Sequence, residues 1–168
     1  MTIELQPLDV AHAAPLRRIH DQPGVKRWWG PMEADFPFDE AEATRFAIVT
    51  GGEVVGLVQF GEEEWPDYRH GWIDVFVADD WAGRGIGAEA VERVARMLIE
   101  ERGHHRITID PAADNGAAIR SYEKAGFSCV GVLHAAQKDP WSDGWRDELL
   151  MELVAPRNET RCGQVEPT

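Results

Sequence analysis

Cysteine is nearly absent from this 168-residue chain, with only Cys129 and Cys162 present. They are far apart, which excludes a disulfide framework or a zinc site built on thiolates and points to a reducing, cytoplasmic setting. The small and apolar neighbours of Cys129 (Phe127, Val130, Val132) predict a buried structural thiol and not a nucleophile. Basic residues are also scarce: 17 Lys plus Arg stand against 30 Asp plus Glu, a formal charge of −13. A field of that sign repels phosphate backbones and anionic lipid, so nucleic acid and membrane are not expected partners. Small cations would be attracted instead, although an acidic surface also serves plain solubility. No run of about 18 apolar residues exists to span a bilayer. Nor does the stretch Met1–Pro15 show the basic-then-apolar order of a secretory leader. No metal site is expected.

What is present is the composition of a folded protein, 43% apolar and 28% charged. One α+β domain over 1–155 is expected, followed by a polar tail over 156–168. Alternation at Ile3 and Leu5 predicts a first strand, and Asp9 is placed to cap a helix with Val10, Ala13, Leu16 and Ile19 on one face. Gln22-Pro23-Gly24 reads as a turn. A short helical stretch is predicted from Asp39 to about Arg45. Strands are expected over 46–50 and 53–60, joined by Gly51-Gly52, the dipeptide of tight primed turns. A central strand over 71–78 precedes a helix over 85–102 with Gly103 as its stop. A strand at 106–110, a helix at 115–125 and strands at 127–133 and 149–154 complete the chain.

The segment Trp81-Ala82-Gly83-Arg84-Gly85-Ile86-Gly87-Ala88 falls between a strand and a long helix. Glycines there let backbone amides converge on an anion, and the helix N-terminus adds partial positive charge. Gly83-x-Gly85-x-x-Ala88, with Asp110 at the end of the next strand, also satisfies a dinucleotide fingerprint. Position decides against that reading. The loop follows about 80 residues of other structure, and beyond Phe127 only two β-rich runs remain, too few for a doubly wound sheet.

Arg84-Gly85-Ile86-Gly87-Ala88 followed by a helix resembles the pyrophosphate loop of GNAT acetyltransferases, normally Gln/Arg-x-x-Gly-x-Gly/Ala, with Ala82 departing from the first position. The stretch from Asp110-Pro111 through Asn115, Ala118-Ile119-Arg120 and Tyr122-Glu123-Lys124-Ala125-Gly126-Phe127 is similar to the second cofactor motif of that superfamily. With Trp28-Trp29-Gly30 and Ile73-Asp74, the chain looks most like the aminoglycoside 6′-N-acetyltransferases over roughly Val25 to Val154. The resemblance implies a mixed, mostly antiparallel twisted sheet of six to seven strands with about four helices. It also implies acetyl-CoA as co-substrate, a cationic amine as acceptor and attack in a ternary complex.

By that resemblance the cofactor is held by Arg84, Gly85, Ile86, Gly87, Ala88, Asn115, Ala118, Tyr122 and Lys124, with a backbone amide at Phe76 or Val77 polarising the thioester carbonyl. Tyr122 is expected to protonate the departing thiolate, the alternative being a tyrosine that only packs the core. Asn115 would serve equally as a helix cap. Asp74 is expected to bind the acceptor amine and take its proton, directly or through water; otherwise, in mid-strand, it faces solvent. Trp28, Trp29, Asp110 and Asp147 are expected around the acceptor, with Trp65 and the carboxylates Glu53, Glu62, Glu63, Glu64, Asp67, Asp79, Asp80, Asp143 and Glu148 adding flat walls and acidity. Activity should rise toward alkaline pH, because only a deprotonated amine attacks. Another amine acceptor (a siderophore precursor, a polyamine, a protein N-terminus) or a non-catalytic acyl-CoA sensor remains open, as does monomer or homodimer.

Overall fold

The computed structural model describes residues 2–156, and most of the expected C-terminal tail and Cys162 lie outside them. Seven strands form one sheet in the order β1-β2-β3-β4-β5-β7-β6. They are β1 (Glu4–Pro7), β2 (Thr44–Thr50), β3 (Glu53–Glu63), β4 (His70–Val77), β5 (Arg106–Ile109), β6 (Ser128–Lys138) and β7 (Trp145–Val154). Every neighbouring pair is antiparallel except β4 and β5, which the helix α3 (Ile86–Glu100) connects in parallel. A parallel return needs such a crossover.

Two apolar layers sandwich the sheet. Helices α3 and α4 (Gly116–Lys124) bury Ile86, Val91, Val94, Leu98 and Tyr122 against Ile73, Ile107 and Met151 on one face. On the other, α1 (Val10–His20) and α2 (Pro23–Trp29) bury Leu16, Ile19 and Val25 against Leu57 and Phe76. The strong apolar stripe of α3 explains why its sequence pattern is so legible.

Asp9 caps α1 as expected: its carboxylate accepts the Ala11 amide at 2.8 Å, and the ring of His12 accepts the Asp9 amide in return at 3.0 Å. Asp9→Ala should therefore cost about 1 kcal/mol, read as a lower denaturant midpoint at unchanged slope; an unmoved midpoint would mean the cap is idle. Gly51 and Gly52 both adopt positive φ, 57° and 81°, and close the β2–β3 hairpin as the dipeptide predicts.

Four expectations are corrected. Pro23-Gly24 does not remain a turn but opens α2, where proline's missing amide is no loss. The predicted helix from Asp39 to Arg45 does not form. Arg45 instead lies in β2, almost fully buried, and donates to Asp39 Oδ1 and the Pro37 carbonyl at 2.6 Å and to Gln59 Oε1 at 2.7 Å. A guanidinium so completely satisfied by loop and sheet outweighs a weak local helical preference. Cys129 is exposed, not buried, because β6 is an outer strand of the sheet with little packed on it. Finally β6 and β7 run far beyond 127–133 and 149–154, forming a long hairpin bulged at Leu133–Gln137, around Ala135 at φ 50°.

Candidate active site

Strands β4 and β5 are paired only at Gly71–Ile107 and Trp72–Thr108. Beyond that point they part, and a cavity of about 560 Å³ opens between Asp74–Val77 on one side and Ile109–Ala112 on the other. The parting leaves main-chain groups of β4 without a sheet partner. Which ones follows from the register. Ala78 donates its amide to Val55 on β3 at 2.8 Å, and Phe76 and Asp74 lie opposite Leu57 and Gln59 in the same phase. In an antiparallel ladder alternate residues bond to the same neighbour, so Val75 and Val77 direct their amides and carbonyls away from β3 and toward the gap. The Val75 amide is taken by Asp74 Oδ1 at 2.9 Å. The Val77 amide is thus the one that β4 aims into the cavity; the amide of Phe76 faces β3.

At one end of the cavity stands the N-terminus of α3. Gly83 and Gly85 adopt φ of 74° and 85°, and a Cβ at either would meet nothing within 4 Å, so the glycines serve conformation and not packing. Gly85 is the N-cap and offers no side chain to the first turn, so the amides of Ile86, Gly87 and Ala88 stay open. Such a terminus is an anion site with both dipole and donors. From α4, Asn115, Ala118, Arg120, Tyr122 and Lys124 line the same space, and two of these add full positive charge. The cradle fits a pyrophosphate followed by an extended arm that pairs with the parted strand. Asn115 also accepts the Ala118 amide at 3.2 Å and so caps α4. Gly85→Ala should raise the acetyl-CoA KM about fivefold and cost about 1 kcal/mol through its left-handed φ. An unchanged KM would remove the loop from cofactor binding.

Toward the other end the lining turns acidic and aromatic. Asp74 is on the α1/α2 side of β4, and burial drives its carboxyl up to about 7, opposed by the Val75 amide and assisted by the charges of Asp110, Glu40 and Glu148. Its surface stays partly accessible through the cavity, although protein surrounds it on all other sides. Burial likewise raises Asp110, and it raises Glu148 with help from Asp110. Tyr122 reaches in from the α3/α4 side; burial first, then the charges of Asp74 and Asp110, hold its hydroxyl well above the ordinary phenol range. That hydroxyl makes no hydrogen bond among the described residues. Trp29 packs edge-on against Phe76 with centroids 4.9 Å apart, and Trp28 carries the Arg27 guanidinium over its ring at 4.5 Å.

Several of the residues anticipated from sequence do not line the cavity, Glu53, Asp79, Asp80 and Asp143 among them. Arg84 stacks on Trp81 at 4.8 Å, outside the pocket. Asp147 is turned to the other face of β7, where it accepts from the Ala135 amide at 2.8 Å and pairs with the His134 ring at 3.1 Å. Its neighbour Glu148 takes the inward position, as strand alternation requires. The acidic stretch Glu62–Asp67 and Trp65 also lie elsewhere, at the β3–β4 turn, the end of β4 away from Asp74–Val77. There Glu62 instead meets His104 at 3.1 Å and Arg102 at 3.6 Å. Trp81, Gln137 and Arg146 line the cavity without having been anticipated as site residues; the last shares a face with Glu148 by the same alternation, a signal visible once β7 is known to start at Trp145.

The sequence profile of the acetyltransferase (GNAT) family matches residues 13–127. Aminoglycoside N(6′)-acetyltransferase type 1 of Klebsiella pneumoniae is 28% identical over 142 aligned positions, covering 70% of this chain and 68% of that one. Spermidine N(1)-acetyltransferase of Escherichia coli is 22% identical, covering 79% and 76%. Among solved structures, aminoglycoside acetyltransferase AAC(6′)-Ib with paromomycin and acetyl-CoA superposes with a TM-score of 0.75 at 22% identity, over 98% of this chain and 99% of that one. RimJ of Mycobacterium smegmatis with CoA-disulfide gives 0.78 at 24%, over 91% and 82%. The seven-stranded mixed sheet with its four helices matches the fold of these neighbours. The chain belongs to the acetyltransferase (GNAT) family and is an acetyl-CoA-dependent N-acetyltransferase.

Proposed function

We propose that the chain acetylates a primary amine of a cationic small molecule, in the first instance the 6′-amine of an aminoglycoside, by direct attack in a ternary complex. The observation that carries this reading is the meeting of Asp74, Asp110 and Glu148 at the end of the cavity away from the α3 amides. Three carboxylates in one chamber hold a cation, and tryptophan faces beside them suit a ring-bearing ligand. Two relatives of the chain are named for amine substrates that are themselves cationic, aminoglycosides and spermidine.

In this reading the amides of Ile86, Gly87 and Ala88, with Arg120 and Lys124, hold the pyrophosphate, and the parted edge of β4 orients the arm. Acetyl-CoA supplies an activated acyl group as a thioester. Asp74 takes the proton that the amine must lose, Val77 donates its amide to the carbonyl oxygen as charge gathers there, and Tyr122 protonates the thiolate as the C–S bond breaks. A carboxyl near 7 suits the first role: ionised in mildly alkaline solution, yet a stronger base than an ordinary aspartate. Burial keeps the phenol protonated, as the last role needs.

Thiol release from acetyl-CoA, followed across kanamycin-type aminoglycosides, spermidine and peptide amines, tests the proposal. Turnover should be fastest with an aminoglycoside. Turnover restricted to spermidine would transfer the acceptor to the polyamines, and acetyl-CoA binding without thiol release from any amine would leave a non-catalytic sensor.

A further inference from the structure

The chamber that receives the acceptor is not acidic throughout. Arg146 of β7 lies on the same inward face as Glu148 and lines the same cavity. Its Nη2 donates to the Trp28 carbonyl at 2.7 Å, a cation placed on the last turn of α2. Its Nε donates at 2.6 Å to Oε1 of Gln137, the residue opposite it on β6. The guanidinium is therefore fixed in plane by two partners on different elements. The Gln137 amide is also fixed, because its oxygen is used by Arg146 and only its NH₂ is left to face outward. Gln137 lines the cavity as well. Neither the Arg146 Nη1 nor the Gln137 Nε2 has a hydrogen-bond partner among the described residues. At the chamber wall, then, stand oriented donors and one permanent positive charge, beside carboxylates that Arg146 itself influences: it pulls against the upward shift of Glu148.

Such a wall serves a linear polyamine poorly. A chain that carries only ammonium groups and methylenes has no acceptor atom for Nη1 or Nε2, and a second ammonium placed near Arg146 is repelled. An aminosugar matches both halves, with its amine toward Asp74 and its hydroxyl or ring oxygens toward the donors. From this division we infer that Arg146, with Gln137, is a specificity-determining pair selecting amines that carry oxygen acceptors near the reacting nitrogen. This rests on the reading of the chain as an acetylase of cationic amines, and it adds which of them the chamber admits.

The alternative is that Arg146 is only a clasp holding α2 against the hairpin, near Gly30, where a Cβ would come within 2.8 Å of Pro140. Kinetics separate the two. Kanamycin and spermidine serve as probes with wild type, Arg146→Met, Arg146→Lys and Gln137→Ala, and the acetyl-CoA KM is measured in each. Wild type should prefer kanamycin. Arg146→Met should lower kcat/KM for kanamycin about tenfold or more while leaving spermidine unchanged or raising it, with the acetyl-CoA KM unmoved. Arg146→Lys, which keeps the charge without the planar fork, should still disfavour spermidine and recover only part of the kanamycin activity. Gln137→Ala should show a smaller loss confined to kanamycin. Equal loss on both probes would reduce Arg146 to a clasp and overturn the inference while leaving the acetylation reading intact. Thiol release with neither probe in wild type would overturn that reading and the inference together.

Discussion

Asp74→Asn should lower kcat by about 10²- to 10³-fold and raise the acceptor KM, yet leave the protein more stable than wild type at pH 8. The two effects have one origin. Asp74 is largely enclosed at the cavity between the parted strands, with Asp110, Glu40 and Glu148 as like-charged neighbours, and its carboxyl is raised from an ordinary 3.8 to about 7. A raised carboxyl pKa in the native state means that the folded chain holds a proton that the unfolded chain has lost. Between about pH 4 and 7 the native state thus binds more protons, and its stability falls as pH rises through that window and levels off above about 7. The full difference amounts to a few kcal/mol at most, since a tenfold change in proton affinity is worth about 1.4 kcal/mol. Asn carries no charge to desolvate, so the variant should gain on wild type across the same interval and hold its gain above it. Chemical denaturation at pH 5 and pH 8 reads this; a variant less stable than wild type at pH 8 would contradict the account. The rate side has its own signature. Log kcat/KM of wild type should rise with pH through a limb near 7, and the variant should lack that limb. Asp110→Asn, which removes one repelling charge, should move the limb downward. An Asp74→Asn enzyme with wild-type rate and wild-type pH profile would return Asp74 to a mere structural place.

Much of this site was readable before the fold was known, and the reasons are local. The open amides of α3 follow glycines at positive φ, which leave a visible trace at Gly83 and Gly85. The long stripe of α3 and the Gly51-Gly52 turn are likewise short-range features that no tertiary contact overrides. What stayed hidden depends on partners distant in sequence. Arg45 looks like the end of a helix until Gln59 and the Pro37 carbonyl are known to surround it. Asp147 and Glu148 are adjacent and chemically alike, and only the strand phase decides which of them faces the cavity. The acidic stretch after Glu62 misleads for a related reason, since its charge was legible while its end of the sheet was not. The choice of Val77 over Phe76 as the inward amide needs the pairing of β4 with β3, because a backbone donor has no side-chain signature.

Tyr122→Phe should cut turnover about 100-fold with little change in the acetyl-CoA KM and no loss of stability. The ring supplies the packing: Tyr122 is 5% exposed, within the core that α3 and α4 share. Phe fills the same volume, so the cavity wall formed by α4 is preserved. The hydroxyl is another matter. It opens on the cavity beside two carboxylates, with no hydrogen-bond partner among the described residues, so the fold itself does not depend on it. Removing it should therefore leave the melting temperature unchanged. Chemistry should suffer because a phenol held above its ordinary pKa stays protonated across the working range and is at hand when the thiolate leaves. The leaving group itself supplies the discriminating test. A thiol with a pKa near 8.5 gains from an acid, whereas an acyl donor with a much more acidic thiol, such as an aryl thioester, needs little help. The penalty for Tyr122→Phe should shrink markedly with such a donor, provided that acyl transfer and not product release limits the rate. A penalty of the same size with both donors would mean that the hydroxyl positions the thioester and does not protonate sulfur. A variant that melts well below wild type would instead show that the hydroxyl has a structural partner, and the acid role would lose its support.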